Sequence, residues 1–555
     1  MLDLRISNAK IVDGTGAPSY IGSVGVSGGM ITQVGDQVGA AKRDINAEGR
    51  LLTPGFVDIH THYDGQVCWD KQITPSCWHG VTSVVMGNCG VGFAPVRPGD
   101  ETKLIELMES VEDIPGSALN EGITWGWESY GEYLDAIDTP YVMDVGSQIP
   151  HVAIRRYVMG ERCYGDATDQ DIQQMAALTR EALEAGGLGF STSRFYGHVD
   201  KEGKLVPGTH AAAKEMLALG RAFKGLNHGT MEIISDYLEE DNELAWIEQI
   251  LRETGRPITT LASPRSKKIW QMASDMKEAG FNLRPQVGAR PASILMSLDG
   301  TINPLAIYPT YKAIRSLPLD EQIQLLRDSS FREKVKADTP IHHRNKDAVR
   351  FTTSFSEMYP LDDQLSYEPG PADSIQGIAD SKGKHHLDVL MDCLAERRPI
   401  IFFFGGYPGH LQDQFDAIKK ERSVFGLSDG GAHCGVLCDA SVPTYMIGYA
   451  TRDRSVGEKI PLEFVVNKMT QDTAGLYGLN DRGVIAEGYR ADINLIDYDN
   501  LVLHPPEMVY DLPSEGKRLI QKASGYDATI CGGQVTFEHG QATGAMPGKL
   551  VRGGK

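Results

Sequence analysis

Several features are scarce or missing in this 555-residue chain, and each absence excludes a class of protein. The eight cysteines have no repeating spacing and do not form a disulfide framework. No apolar run approaches the length of a transmembrane helix, and the opening MLDLRISNAKIVDG lacks the basic-then-apolar layout of a signal peptide. We therefore expect a protein of the reducing cytoplasm, without a membrane partner.

Positive charge is also scarce. The chain has 54 basic and 74 acidic residues, which give a formal net charge of −20. A surface this acidic repels phosphate backbones, so we do not expect a nucleic-acid partner. A local pocket can oppose the global sign, so the charge leaves a small-molecule substrate open, and self-association into a homo-oligomer stays open as well.

Both ends of the chain predict short antiparallel strands. Gly-rich breaks separate alternating apolar residues in LRISNAKIVDG and GSVGVSGGMITQVG, and again in YDATICGGQVTFEHG near the carboxyl end. From this pattern we expect residues 1–54 and 480–555 to form one small β-sandwich domain.

The middle of the chain, residues 55–479, alternates strands with amphipathic helices. One helix is predicted to begin with the capping box Thr168-Asp169-Gln170-Asp171 and to end before the strand GLGFST. The unit recurs in ELAWIEQILRETG with PITTLA, in KIWQMASDMKEAG with NLRPQVG, and in HLDVLMDCLAERR with PIIFFFG. This order predicts an α/β protein with a (β/α)₈ TIM barrel. A doubly wound sheet is the alternative, although no G-x-G-x-x-G opens a first βα unit.

The segment around residues 326–379 interrupts this alternation, because it is polar with scattered aromatic residues and prolines. Long segments between barrel elements are often functional. We interpret this one either as a substrate lid or as a surface subdomain.

Residue types that bind metals follow several predicted strands. His60 and His62 come after an apolar run, and alternate residues of a strand share a face, so their imidazoles lie side by side. Cys89 ends GVTSVVMGNC, Asp429 lies in GLSDGGAH, and Glu232 lies in TMEIIS. Each has a structural explanation when taken alone. Together, at the common mouth of a barrel, imidazole, thiolate and carboxylate favour a divalent ion with zinc first.

These segments carry a family resemblance. GFVDIHTHYD, GVTSVVMGNCG and GLSDGGAH resemble the amidohydrolase superfamily, specifically the N-acyl-D-amino-acid deacylases (D-aminoacylases). GLGFSTSRFY resembles the family's fourth-strand region, and TAGLYGLNDRGVIAEGYRADINLID its passage from the last barrel helix into the β-domain. The resemblance implies a (β/α)₈ barrel with a small β-sandwich, zinc, and hydrolysis of an acyl amide on a D-amino acid.

Residue by residue, the resemblance implies that His60, His62, Cys89 and Asp429 bind the metal. The next two barrel strands of the family normally end in histidines, whereas the corresponding segments here, TMEIIS and TTLASP, contain none. Glu232 lies about where the first of these histidines belongs. We therefore expect a divergent branch that binds one Zn²⁺, with a second ion if Glu232 is also a ligand.

The expected reaction is amide hydrolysis by activated water. Zinc can lower the pKa of water from about 16 to roughly 7. Asp429 would then take a proton from the water and deliver it to the leaving nitrogen. His433 is expected to assist the developing oxyanion or to orient Asp429, with a solvent-facing loop histidine as the alternative.

An N-acyl amino acid presents a carboxylate, for which a guanidinium is a bidentate partner. Arg265 is the first candidate and Arg194 the second, because both follow predicted strand ends. Tyr196 and Tyr308 are expected to add hydroxyl contacts.

Three functions stay open from the sequence. The first is a zinc deacylase that acts on N-acyl amino acids, D-configured ones before L-configured ones. The second is a hydrolase of another C–N bond, in a cyclic imide, a hydantoin or a peptide-like amide. The third is a barrel that has lost catalysis and acts as a binding protein, against which the retention of four ligand residues argues.

Overall fold

The computed structural model describes residues 1–341, 346–362, 365–404 and 410–554. The strands, numbered in chain order, are β1 Leu2–Ile11, β2 Tyr20–Ser27, β3 Met30–Gly35, β4 Ala41–Asn46, β5 Leu51–Pro54, β6 Phe56–Asp58, β7 Val81–Met86, β8 Asp144–Pro150, β9 Gly189–Arg194, β10 Thr230–Ser235, β11 Ile258–Leu261, β12 Leu283–Gly288, β13 Ser293–Met296, β14 Met358–Pro360, β15 Ile400–Phe403, β16 Val424–Gly426, β17 Ile493–Ile496, β18 Val502–Leu503, β19 Glu507–Leu512, β20 Gly516–Ile520, β21 Ala523–Ser524, β22 Tyr526–Cys531, β23 Gln534–Glu538 and β24 Gln541–Ala542.

The α-helices, also in chain order, are α1 Glu101–Glu112, α2 Gly116–Gly122, α3 Tyr130–Ala136, α4 His151–Met159, α5 Asp169–Ala185, α6 Ala213–Arg221, α7 Glu240–Thr254, α8 Lys267–Glu278, α9 Pro309–Lys312, α10 Leu319–Arg327, α11 Ser329–Ala337, α12 Lys346–Thr353, α13 Ile375–Lys382, α14 His386–Ala395, α15 His410–Ile418, α16 Val442–Tyr445, α17 Leu462–Met469 and α18 Gln471–Leu476. The predicted capping box is present at the start of α5, where the Thr168 side chain accepts a hydrogen bond from the backbone of Asp171.

Eight parallel strands form the barrel, in the order β6-β7-β8-β9-β10-β11-β12-β16. Backbone hydrogen bonds close it between the segments that follow β6 and β16. The N–H of Asp429 donates to the carbonyl of His60 at 3.1 Å, and the N–H of His62 donates to the carbonyl of Gly430 at 2.8 Å. The strands are buried on both faces, as is usual for parallel sheets covered by helices. The predicted TIM barrel is confirmed.

Both chain ends contribute to one further sheet, in the order β24-β23-β22-β17-β5-β1-β2-β3, with β4 paired to β1. The ends meet where β5 runs antiparallel to β17, with Pro54 opposite Ile493. The sheet has its own apolar core, which includes Ile6, Val24 and Ile530. The predicted β-domain formed from both ends is confirmed as a fold, whereas its exact boundaries stay a prediction.

The apolar run PIIFFFG is not a barrel strand, contrary to the sequence interpretation. It forms β15, which lies between β13 and β14 in a three-stranded antiparallel sheet. Helices α9 to α14 cover this sheet and share a separate core with it, which includes Met296, Leu326 and Phe402. A short apolar run predicts a buried strand without saying which sheet it joins, and this explains the error.

The segment 326–379 belongs to this helical unit and contributes Leu326, Phe331 and Met358 to its core. Residues 342–345 and 363–364 of the segment lie outside the described residues. A lid function for this unit stays a prediction.

The final residues of the chain return to the barrel. Gly548 bridges to Tyr141, and Leu550 bridges to Val145 at the start of β8. Among the described residues, none of the helices combines the length and apolar character that crossing a bilayer requires.

Candidate metal centre

Three strand ends bring the predicted ligands together. His60 and His62 follow β6, Cys89 follows β7, and Asp429 follows β16. The backbone bonds that close the barrel join the first and last of these segments directly. The side-chain amide of Asn88 donates to the carbonyl of Thr61 at 3.1 Å, which ties the cysteine loop to the histidine strand. Neighbouring strand ends therefore fix all four side chains.

Three separations between the donor atoms of these four residues are those that one small cation requires. His60 Nε2 is 3.3 Å from Asp429 Oδ1, and His62 Nε2 is 3.6 Å from the same oxygen. Cys89 Sγ is 3.5 Å from His60 Nε2. Zinc bonds of about 2.0–2.3 Å give a tetrahedron with edges of about 3.3–3.8 Å, so the three measured separations match its edges.

Hydrogen bonding selects the tautomer of His60. Its Nδ1 lies 3.0 Å from Gln286 Oε1, a carbonyl oxygen that can only accept, so Nδ1 carries the proton. Nε2 then presents its lone pair to Cys89 and Asp429. Fixing one ring nitrogen so that the other faces the ion is the usual arrangement of metal-binding histidines.

The histidines of the cluster are held neutral. Burial lowers the pKa of His60 to about 4 and also lowers the pKa of His62. Burial alone would raise the pKa of Asp429, but its hydrogen bond to His62 and the nearby His60 and His433 lower it instead. Neutral imidazoles beside an ionised carboxylate are the protonation states that bind a metal.

The acidic side chains of the cluster have no lysine or arginine to balance their charge among the described residues. Burial raises the pKa of the Cys89 thiol and of Glu112 well above their usual ranges, and nearby carboxylates add to both shifts. Within the described part of the chain, no lysine or arginine forms an ion pair with Glu112, Glu232 or Asp429. A bound cation would supply the missing positive charge and lower these pKa values. The residues therefore fit a divalent ion.

Glu232 lies beside the cluster on β10, opposite Ser191 of β9 and Thr259 of β11. One of its oxygens accepts a hydrogen bond from the N–H of Cys89 at 3.2 Å, and the other has no partner among the described residues. Burial raises the pKa of Glu232 to about 8. Its role as a metal ligand stays a prediction.

Two residues of the site were not identified from the sequence. Glu112 ends α1, and its Oε2 lies 3.6 Å from His62 Nε2 and 3.4 Å from His433 Nε2. His198 lies in the loop after β9, and its ligand atom is within 4.8 Å of those of Cys89 and Glu112. Glu112 had one signal in the sequence, because it falls on the buried stripe of an amphipathic helix where an apolar residue is expected.

The loops that carry these residues have unusual backbone conformations. Cys89, Asp429 and His433 are in the left-handed region, with φ of 55°, 49° and 50°. Non-glycine residues rarely adopt this region, and such residues cluster at functional sites. His433 is at the rim of the cluster, with a quarter of its side chain exposed. Its catalytic role stays a prediction.

The four predicted substrate-binding residues do not share one location. Arg194 is buried, lies 3.2 Å from Glu243 Oε1, and donates to the carbonyl of Ala211. Arg265 is exposed and pairs with Asp413. Tyr196 is partly exposed in the loop after β9, with its hydroxyl 3.4 Å from His210 Nδ1. Tyr308 is in the core of the helical unit.

Comparisons with known proteins agree with this architecture. A model of the amidohydrolase family matches residues 43–537. The D-aminoacylase of Alcaligenes xylosoxydans xylosoxydans is 25% identical over 555 residues, which cover 99% of this chain and 97% of that protein. A solved D-aminoacylase, described as having a binuclear metal centre, superposes with a TM-score of 0.65 at 23% identity over the whole of both chains. The N-acyl-D-glutamate deacylase of Bordetella bronchiseptica, solved with zinc and a phosphonate inhibitor, gives a TM-score of 0.64 at 21% identity over 99% of both chains.

Proposed function

This chain belongs to the amidohydrolase family, and we propose that it is a zinc-dependent hydrolase of N-acyl amino acids, with N-acyl-D-amino acids as its first substrates. The similarity to D-aminoacylases predicted from the sequence motifs is confirmed. The proposed reaction adds water across the amide bond and releases a carboxylic acid and a free amino acid.

The observation that carries the proposal is the spacing of the four donor atoms. Three separations among the donor atoms of His60, His62, Cys89 and Asp429 are those of ligands that share one zinc ion. Nitrogen and sulfur donors favour zinc over magnesium or calcium, which prefer oxygen. An inactive binding protein would not need imidazole, thiol and carboxylate side chains gathered at three strand ends.

When bound, a divalent ion supplies Lewis acidity that polarises an amide carbonyl and makes water more acidic. Asp429 is the proton carrier of the proposed mechanism. Its lowered pKa keeps it as a carboxylate at neutral pH, so it can accept a proton from the attacking water and pass it to the leaving nitrogen. Its side chain is 17% exposed, whereas His60 and His62 are fully buried, so Asp429 is the ligand that faces the substrate side.

The substrate class draws support from two sources. Two relatives that cover nearly the whole chain are named D-aminoacylase and N-acyl-D-glutamate deacylase. Arg265 is exposed and pairs with Asp413, a partly exposed carboxylate that the carboxylate of a substrate could replace.

A substrate panel tests the proposal. Zinc-loaded protein is given N-acetyl-D-amino acids, their L-enantiomers and a hydantoin, and the release of acetate or the opening of the ring is measured. We expect deacylation of the D-compounds, and its loss in His60→Ala. His539→Ala is the matched control, because that histidine is exposed in the β-domain.

Two results would contradict the proposal. Full activity in His60→Ala would show that the metal cluster takes no part in the reaction. Ring opening without any deacylation would replace the substrate class by the hydantoins, one of the alternatives that the sequence leaves open.

A further inference from the structure

We infer that Glu112 and His198 form, together with Cys89, a second cation position that takes zinc or a similar divalent ion. The three ligand atoms lie within 4.8 Å of one another. This inference rests on the proposed function only through Cys89, which belongs to both ligand sets. It differs from the sequence expectation, in which any second ion depends on Glu232.

Glu112 gives the strongest indication that a cation binds at this position. Its side chain is 1% exposed, and neither of its carboxylate oxygens has a hydrogen-bond partner among the described residues. A buried polar group without a partner costs about 1–3 kcal/mol, and more when it is charged. The imidazoles of His62 and His433 lie 3.6 and 3.4 Å from its Oε2 without forming a hydrogen bond, whereas a bound cation would satisfy the carboxylate.

The position of Glu112 is fixed by the loop that carries Asp429. Helix α1 ends there, and the carbonyl of Glu112 accepts a hydrogen bond from the N–H of His433. The next residue, Asp113, accepts from the N–H of Cys434 at 3.2 Å and from the N–H of Gly435 at 3.0 Å. The carboxylate is therefore held in register with the first metal position rather than free to move away.

His198 is held in place by contacts with residues at the end of β9. Its Nδ1 lies 2.8 Å from the hydroxyl of Ser193, which leaves Nε2 as the free ring nitrogen. The backbone N–H of His198 donates to the carbonyl of Phe195, and the rings of these two residues contact edge to face. The imidazole is thus oriented by its own strand end.

The loop that carries Cys89 packs closely against the end of β9. The N–H of Gly90 donates to the Ser191 hydroxyl at 3.0 Å. Gly90 has a φ of 73°, and a Cβ at this position would lie 3.0 Å from the backbone nitrogen of Ser193. Only glycine allows this approach without strain, and the approach brings Cys89 next to the β9 loop that holds His198.

The two positions use different parts of the fold. The first takes its ligands from β6, β7 and β16, whereas the second takes a glutamate from the end of a helix and a histidine from a loop. The ends of β10 and β11 provide Ser235 and Leu261, neither of which suits zinc. Glu112 and His198 therefore give the second position ligands that do not come from strand ends.

The test is a zinc titration of the full chain after removal of metal with a chelator. Bound zinc is measured by equilibrium dialysis with elemental analysis, and no substrate is needed. We expect two equivalents in the unchanged protein and one in Glu112→Gln and in His198→Gln. The second equivalent should bind at least about 100-fold more weakly in these variants. Glu109→Gln, an exposed change on the same helix, and His210→Gln, an exposed change in the same loop as His198, should both keep two equivalents.

Each outcome decides the inference. One equivalent in the unchanged protein, or two in both Glu112→Gln and His198→Gln, would overturn it. If Glu112→Gln does not fold, His198→Gln alone decides, because it alters a half-buried residue of a loop rather than a buried carboxylate. Failure of the proposed function gives a different result: two equivalents of zinc with no deacylation would leave the second position in place and remove only the substrate class.

Discussion

Two groups of buried charged residues near the barrel mouth differ in how their charges are balanced. Arg194 lies against Glu243, and Arg290 contacts Asp439, Ser441 and Gln521. The metal cluster has the opposite property, because among the described residues no lysine or arginine pairs with Glu112 or Glu232, and Glu112 lies only beside the imidazoles of His62 and His433.

The difference separates structure from function. Where the chain supplies its own counter-charge, a substitution leaves a buried charge unpaired and reduces stability. Where the chain leaves the charge unbalanced, the missing partner comes from outside, and a substitution should reduce metal binding or activity instead. Four predictions test this distinction, beginning with the largest expected effect.

Asp429→Asn should reduce kcat/KM for the best N-acyl-D-amino acid by at least about 10³-fold. The amide cannot take up a proton from water, and it replaces an anionic metal ligand by a neutral one. The measurement is steady-state kinetics at saturating zinc. Asp169→Asn is the control, since that carboxylate is exposed on α5 and pairs with Lys214 on the surface. A variant as active as the unchanged protein would show that Asp429 is not the proton carrier.

Arg194→Met should lower the stability of the folded protein. Glu243, which is 3% exposed, would lose its basic partner and keep the hydrogen bond from the hydroxyl of Ser235. Breaking a buried pair in this way costs about 3–5 kcal/mol, so the thermal midpoint should fall clearly. In Arg194→Met/Glu243→Leu both charges are gone, and most of the stability should return. If Arg194→Met keeps its thermal midpoint but loses substrate affinity, Arg194 is the carboxylate-binding residue predicted from the sequence.

Glu232→Gln should change the pH dependence of stability in the metal-free protein. The folded chain keeps a proton on Glu232 up to about pH 8, whereas the unfolded carboxyl loses it near 4.5. Between these values the folded state binds more protons, so stability falls as pH rises, by up to about 1.4 kcal/mol per pH unit from this group.

The measurement is the thermal midpoint at several pH values with a chelator present. Glu232→Gln should lose its share of this slope and gain stability over the unchanged protein as pH increases from 5 to 8. Glu239→Gln, an exposed change just beyond the same strand, should keep the slope. Parallel curves for Glu232→Gln and the unchanged protein would contradict the burial effect.

The sequence was sufficient for the parts of the site that lie on strand ends. His60 and His62 follow an apolar run and share a face, and Cys89 and Asp429 follow runs of the same kind, so the barrel topology alone brings them together. Alternating apolar residues at both chain ends likewise predicted the terminal sheet.

The remaining parts depend on tertiary contacts that local patterns do not encode. Glu112 reaches the cluster because a loop more than 300 residues later binds the end of its helix. His198 reaches it because Gly90 allows two loops to approach. PIIFFFG has the composition of a barrel strand, and only its antiparallel partners β13 and β14 place it in the helical unit.

Arg265→Ala should have the smallest effect on stability. It tests whether Arg265 binds the carboxylate of the substrate. The side chain is 79% exposed and its partner Asp413 is 44% exposed, so the pair should contribute less than about 0.5 kcal/mol. If Arg265 binds the carboxylate of the substrate, KM should rise by about 10-fold for N-acetyl-D-amino acids and stay unchanged for an N-acetyl amine that lacks the carboxylate. Arg252→Ala, which removes an exposed helix pair with Glu248, is the control. An unchanged KM for both substrates would exclude Arg265 and direct the search for the carboxylate partner to the other residues of the mouth.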